Sequence, residues 1–283
     1  IFTDYAYFSS YSDLWLQHAR EYVAHIVQRL SLGPGSQVIE IASNDGYLLQ
    51  YMVERGIPSL GIEPAANCAE AAERRGVPSL VDFFGAEVAE RLVDEGRAAD
   101  LVVANNVLAH VPDLTDFVAG LSIVLRPSGT ATIEFPHLLR LMEERQFDTI
   151  YHEHFSYFSL LAIEPVFAAH GLRIADLDLL DTHGGSLRLY VRHADAAGAE
   201  SHAVSGVRAR ERAAKLDRLS TYTGFTETVA EVKRDLLSFL IEARRSGATV
   251  VGYGAPAKGN TLLNYCGIRT DLLPYTVDRS PHK

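Results

Sequence analysis

The densest run of reactive side chains is Tyr151-His152-Glu153-His154-Phe155-Ser156-Tyr157, with His137 upstream. Adjacent ionisable groups flanked by aromatics are poor core material, because each buried polar group needs a partner. Three readings fit them. In the first, histidine, whose ordinary pKa is about 6.5, takes up and returns protons near neutrality, tyrosine stabilises an oxyanion, and glutamate orients the substrate or the imidazole. In the second, the H-x-H pair and the carboxylate hold a metal, although the helical H-E-x-x-H spacing is absent and further ligands would have to come from afar. The third is a solvated loop.

A second constellation is Glu40-Ile41-Ala42-Ser43-Asn44-Asp45-Gly46, which closes a strand and opens a helix, with Glu63 at the end of the next strand. A small-residue turn lets the backbone approach a ligand, and an acid in the place of Glu63 accepts hydrogen bonds from the two ribose hydroxyls of an adenosine. That adenosine could belong to NAD or to S-adenosylmethionine. NAD needs a glycine-rich turn for its pyrophosphate, whereas A-S-N-D-G flanked by acids suits a sulfonium and an amino-acid end. The bland alternative is a helix capped by Asn or Asp. Asp82-Phe83, after the third strand, could set a carboxylate and a ring beside an adenine. Asn105, Asn106 and His110 make the fourth strand end unusually polar, as in a ligand cleft. Gly252-Tyr253-Gly254-Ala255-Pro256-Ala257-Lys258-Gly259 is either a second nucleotide turn, with Lys258 receiving phosphate near a helix N-terminus, or close strand-helix packing.

The elements that must position these groups alternate between β-rich runs and amphipathic stretches, the pattern of a parallel sheet wrapped by helices. Strands are expected at Ser36–Ala42, Ser59–Glu63, Ser79–Phe83, Ala99–Ala104 and Thr130–Phe135, and helices at Tyr47–Arg55, Ala65–Arg75 and Leu114–Leu125. A doubly wound sheet of this kind binds ligands at the carboxyl ends of its strands. Beyond Phe158 come a helix to about His170 and an antiparallel pair, Arg173–Leu180 and Ser186–Arg192, joined through Asp181–Gly185. Helices follow at Val207–Leu219 and Thr226–Arg245, and Ala248–Lys283 restarts a strand, turn and helix. The fold class expected is α/β, with a domain over 1–193, a linker and amphipathic helices over 194–246, and the start of a second domain over 247–283.

The 283 residues carry 26 Lys+Arg against 36 Asp+Glu, a net charge of −10, with no basic run dense enough to follow a phosphate backbone. Nucleic acid is therefore not the expected partner. Cys68 and Cys266 are the only cysteines; they leave no disulfide framework or Cys-rich zinc module within the chain and make a reducing cytoplasm the expected compartment. No stretch approaches the roughly 20 apolar residues of a membrane span, and no signal peptide is expected from these residues.

Taken in order, these strings resemble one family, the S-adenosylmethionine-dependent C-methyltransferases that act on nucleotide-linked 4-keto-deoxysugars in antibiotic-sugar pathways. The strings are D-Y-A-Y-F-S-S-Y-S (Asp4–Ser12), E-I-A-S-N-D-G-Y-L-L (Glu40–Leu49), G-I-E-P-A (Gly61–Ala65) and A-N-N-V-L-A-H-V-P-D (Ala104–Asp113). E-F-P-H (Glu134–His137), Y-H-E-H-F-S-Y-F (Tyr151–Phe158), T-H-G-G-S-L-R (Thr182–Arg188) and G-Y-G-A-P-A-K-G-N-T (Gly252–Thr261) complete them.

The resemblance implies a Rossmann-like class I methyltransferase sheet, a helical connector and part of a second Rossmann-like C-terminal domain, which helps enclose the sugar nucleotide. It also implies an N-terminal zinc module ahead of Ile1, so zinc is expected there alone and no metal site within this chain. By resemblance His154 is the base, with Tyr151 and Glu153 beside it, and Tyr5 and His110 match further active-site positions. Glu40, Ala42, Ser43, Asn44, Asp45, Gly46, Glu63, Asp82, Phe83 and Asn105 fall on the cofactor side. Tyr7, Ser10, Asn106, His183, Arg188 and Lys258 fall on the side of a dTDP-4-keto-deoxyhexose, with Lys258 or Arg188 receiving its phosphates. The chemistry agrees, since carbon 3 beside a 4-keto group is acidic only through the enolate and so needs a base and oxyanion donors. Methyl transfer then requires the two reactants in contact and dry.

Overall fold

The computed structural model describes residues 8–279; Tyr5 and Tyr7 lie outside them. The strands are β1 (Val38–Ile41), β2 (Ser59–Ile62), β3 (Ser79–Leu80), β4 (Ala99–Asn105), β5 (Leu125–Pro136), β6 (Leu172–Leu180), β7 (Ser186–His193), β8 (Gly252–Tyr253) and β9 (Thr276–Val277). The helices are α1 (Asp13–Leu30), α2 (Gln50–Val53), α3 (Ala66–Arg74), α4 (Ala86–Asp94) and α5 (Leu114–Val124). They continue with α6 (Leu138–Glu143), α7 (Leu160–Ala169), α8 (His202–Ala213), α9 (Leu219–Arg245) and α10 (Ala257–Cys266).

Seven strands form one sheet in the order β3-β2-β1-β4-β5-β7-β6. The pairs from β3 through to β5 are parallel, while β7 runs antiparallel to both β5 and β6. Alternation along each strand sends successive side chains to opposite faces, which divides the core into two layers. Ile39, Val102, Ile133 and Leu189 pack under α4, α5, α7 and α8, whereas Val38, Leu101, Val103 and Tyr190 pack under α1 and α2. A separate small core of Leu240, Cys266 and Ile268 joins α9 to α10.

The main strands fall where the sequence pattern places them, with five differences. Helix α2 begins only at Gln50 because Ala42, Asn44 and Gly46 hold positive φ of 53°, 50° and 77°, and Tyr47 is turned into the core. Only Ser79 and Leu80 of the expected third strand pair, so Asp82 and Phe83 stand beyond the ladder. Helix α8 starts at His202, where the Ser201 hydroxyl accepts from the Val204 N–H, and its Val204 and Val207 enter the main core. This first connector helix is thus structurally part of the sheet unit, because its apolar stripe is covered by the sheet rather than by solvent. Helix α4 is not among the expected helices, and the expected strand over 248–251 is replaced by the short pair of β8 with β9.

Candidate active site

The turn after β1 gathers buried acids and polar side chains. Ser43 fits against β2 only because residue 61 is glycine, where a Cβ would stand 2.3 Å from the Ser43 hydroxyl. Glu63 accepts the backbone N–H groups of Asn44 and Ala65, each at 2.8 Å, which fixes its carboxylate under the turn. Asp45, fully buried, pairs with Arg75 at 2.8 Å and accepts the Ser10 hydroxyl at 2.5 Å. Burial pushes the Glu40 carboxyl well up, and the neighbouring charges of Glu63 and Asp45 push the same way against the hydrogen bond from Tyr47. Burial likewise raises Glu63. Among the described residues, Glu40 Oε2, Ser43 Oγ, Asp45 Oδ1, Asn105 Oδ1 and both polar atoms of the Asn106 side chain are buried without a hydrogen-bond partner. Such orphans are costly unless a ligand satisfies them. A pyrophosphate would add negative charge beside these acids, whereas a cationic group would offset the burial that raises Glu40 and Glu63.

The histidine and tyrosine rings gather against the turn after β4. The Phe155 backbone N–H donates to the Ala109 carbonyl at 2.7 Å, tying the segment after α6 to the turn after β4. The rings of Tyr151 and His110 lie with centroids 4.3 and 4.8 Å from that of His154. His154 Nδ1 is 2.8 Å from the Thr149 carbonyl oxygen. A carbonyl can only accept, so Nδ1 carries the proton and Nε2 keeps a lone pair. Burial lowers the His154 pKa and the Lys258 charge adds to this, against the raising effects of the Thr149 bond and of Glu153. Burial, with His154 second, lowers His110 to about 4. Burial and then Glu153 raise Tyr151, which keeps its phenol protonated as a donor.

Other expected residues are placed differently. His137 does not join the cluster; its Nε2 lies 2.7 Å from Glu211 Oε1, deep in the core. His152 is exposed, and no three metal-ligating side chains converge among the described residues. Arg188, expected to meet phosphate, is only 5% exposed. The β5–β7 register sets it opposite Glu134, which it pairs at 2.7 Å, and its guanidinium lies over the Tyr22 ring at 4.5 Å. Lys258, partly exposed at the start of α10, is a cation whose charge reaches His154. Asp82 pairs with Arg91 at 2.8 Å, and Phe83 is exposed beside a cleft of about 270 Å³ that they share with Phe84 and Asp116. Ser10 lies on the turn after β1 through Asp45 rather than on the histidine cluster.

Sequence reasoning missed several members of the site. Trp15 on α1 stacks on His18 at 4.9 Å and meets Tyr47 at 6.1 Å and His183 at 5.3 Å, reaching from the turn after β1 to the connection between β6 and β7. His183 itself holds a left-handed φ of 52° between the strand ends. Glu134 accepts from Thr182 at 2.9 Å and lies 3.2 Å from His18; burial raises its pKa, but His18 and then Arg188 lower it further, so the net shift is downward. The single tryptophan was the one local signal available; Thr149 and Arg75 gave none, since their roles come from partners distant in sequence or from a backbone carbonyl.

Comparison with known proteins fits this arrangement. C-methyltransferase NovU of Streptomyces niveus is 37% identical over 278 residues, which is 98% of this chain and 66% of NovU. The chain thus spans just under two thirds of that relative's length. A ubiquinone biosynthesis O-methyltransferase of Bartonella bacilliformis is 29% identical over 102 residues, 35% of this chain and 41% of the enzyme. The fold is that of magnesium protoporphyrin IX methyltransferase from Synechocystis, solved with bound SAH, at a TM-score of 0.50, 17% identity and coverage of 62% and 83% of the two chains. It is likewise that of PH0226 from Pyrococcus horikoshii, at 0.51, 13% identity, 66% and 94%. A model of the C-methyltransferase C-terminal domain matches residues 181–283. With a methyltransferase-domain model matching 15–177, over half of the 283 residues, on a sheet of the Rossmann-like class I methyltransferase order, the chain belongs to the methyltransferase-domain family.

Proposed function

We propose that the chain is an S-adenosylmethionine-dependent C-methyltransferase that methylates the carbon next to the ketone, carbon 3, of an NDP-4-keto-deoxysugar. The observation that carries this reading is the fixed tautomer of His154, whose Nε2 keeps a lone pair while its ring lies 4.3 Å from that of Tyr151, a protonated phenol. Bound at that turn, S-adenosylmethionine supplies a methyl on a positively charged sulfur that leaves as a neutral thioether. The buried carboxylates of Glu40 and Asp45 suit its amino-acid end, and Glu63 suits its ribose hydroxyls. Asn105 and the Asp82-Phe83 step complete the cofactor side.

His154 Nε2 removes the proton from carbon 3, and the electron pair moves onto the ketone oxygen. Tyr151 stabilises that oxygen by donating its phenol proton in a hydrogen bond, while His110, bonded to the backbone of Glu153, keeps the segment in place. The carbon then takes the methyl, and His154 carries the proton away. Asn106, His183 and Lys258 stand on the acceptor side, Lys258 as the phosphate cation. The NovU name supports carbon as the methylated atom, and the C-terminal domain match supports a role for the segment bearing Lys258.

Incubation with S-adenosylmethionine and a panel of dTDP-4-keto-deoxyhexoses tests the reading. The expected product has gained one methyl in place of hydrogen and shows a methyl singlet on a quaternary carbon by NMR. A methyl on oxygen or nitrogen, or binding of NAD in place of S-adenosylhomocysteine, overturns it.

A further inference from the structure

The segment 8–12 crosses the turn after β1 and is fastened to it. The Ser9 N–H donates to Asn44 Oδ1 at 2.8 Å, and the Ser10 hydroxyl donates to Asp45 Oδ2. Arg75, the residue that caps α3, holds both sides: one amino group donates to the Ser10 oxygen at 2.7 Å, and the other meets the Asp45 carboxylate at 2.8 Å and also the Asp45 carbonyl. The planar guanidinium alone offers the fork that reaches all three. Asp45 is fully buried, and while Oδ2 holds the segment, Oδ1 has no hydrogen-bond partner among the described residues. Segment 8–12 leads straight into α1, whose Trp15 touches Tyr47 on the turn and His183 on the acceptor side.

From this geometry we infer that Arg75 is a positioning residue: through Asp45 and Ser10 it couples occupancy of the cofactor turn to docking of segment 8–12, and so to the placement of Trp15 over the acceptor. The inference rests on the reading of that turn as the S-adenosylmethionine site. A cationic ligand end that meets Asp45 Oδ1 fixes the carboxylate whose other oxygen anchors Ser10. Ligand and docked segment therefore stabilise each other, and the coupling is reciprocal.

The test uses the whole chain and S-adenosylhomocysteine, read by calorimetry and by hydrogen exchange of the amides at 9–12. In the parent protein, S-adenosylhomocysteine should slow exchange there by about fivefold or more, the lower range of a coupling of this kind. Ser10→Ala should abolish that slowing while the ligand still binds, and Ser10→Thr, which keeps the hydroxyl, should restore it. Arg75→Ala should lose the slowing, weaken the ligand and raise the acceptor KM more than it lowers kcat. Bound ligand with unchanged exchange at 9–12, or full slowing in Ser10→Ala, overturns the coupling. Failure of the parent protein to bind S-adenosylhomocysteine overturns the cofactor reading instead.

Discussion

His154 and His137 sit on neighbouring stretches of the same half of the molecule, yet their surroundings assign them opposite tasks. His154 is half-buried and gives its proton-bearing nitrogen to a backbone carbonyl, which leaves a basic nitrogen facing other polar rings. His137 is 1% exposed and faces Glu211, a fully buried carboxylate that also accepts the Leu160 and Leu161 N–H groups at the start of α7. A carbonyl orients an imidazole at the edge of a cleft, whereas a carboxylate enclosed in the core locks it into a fixed hydrogen-bonded seam. The nature and burial of the partner, rather than the histidine, thus separates chemistry from architecture.

Four changes break or sharpen this contrast. The largest effect is expected for His154→Asn, which should lower turnover by about 10²- to 10⁴-fold, the contribution of a general base, while S-adenosylhomocysteine binding by calorimetry stays nearly intact. Near-normal turnover would remove His154 from that role. Glu211→Ala, on the other side of the comparison, should cost about 3–5 kcal/mol in urea unfolding, because it strips a buried histidine and two helix N–H groups of their acceptor. If the loss is below about 1 kcal/mol, the seam is not structural.

The third concerns pH. Base catalysis needs neutral His154, so kcat/KM should fall as pH drops through its pKa, and burial sets that fall below the ordinary histidine value of about 6.5. Lys258 holds this pKa down, so Lys258→Gln should move the acid limb to higher pH; a limb that stays or moves lower refutes the interaction. The smallest effect is expected for Ser159→Ala, which removes the hydroxyl that accepts the Ala162 N–H at 3.1 Å and should cost about 1 kcal/mol in the same unfolding assay. A loss as large as that of Glu211→Ala would mean that Ser159, not Glu211, holds the start of α7.

Much of the fold is legible in the chain because strand and turn preferences are local. Continuous apolar runs mark β1, β4 and β5, and the residues between β6 and β7 mark an antiparallel return; α4 too is legible, in the apolar spacing of Val88, Ala89 and Leu92, whereas the start of α8 is set by its packing on the sheet. Within the site, the clustering of His154 with Tyr151 and the acidic turn with Glu63 follow from short spacings along the chain. Arg188 shows the limit: its basic side chain suggests a phosphate partner, but pairing of β7 with β5 places it opposite Glu134 and buries both.

The sequence by itself determined the βα alternation, the acids that end β1 and β2, and the titratable run that supplies a base. These depend on backbone preferences and on residue chemistry, both readable locally. Only the tertiary structure decided which histidine keeps a usable lone pair, which arginine is enclosed, and that Arg75 fastens segment 8–12 to the turn. Those outcomes follow from contacts between residues far apart in the chain, where burial strengthens each charge and hydrogen bond and leaves an unpartnered one costly.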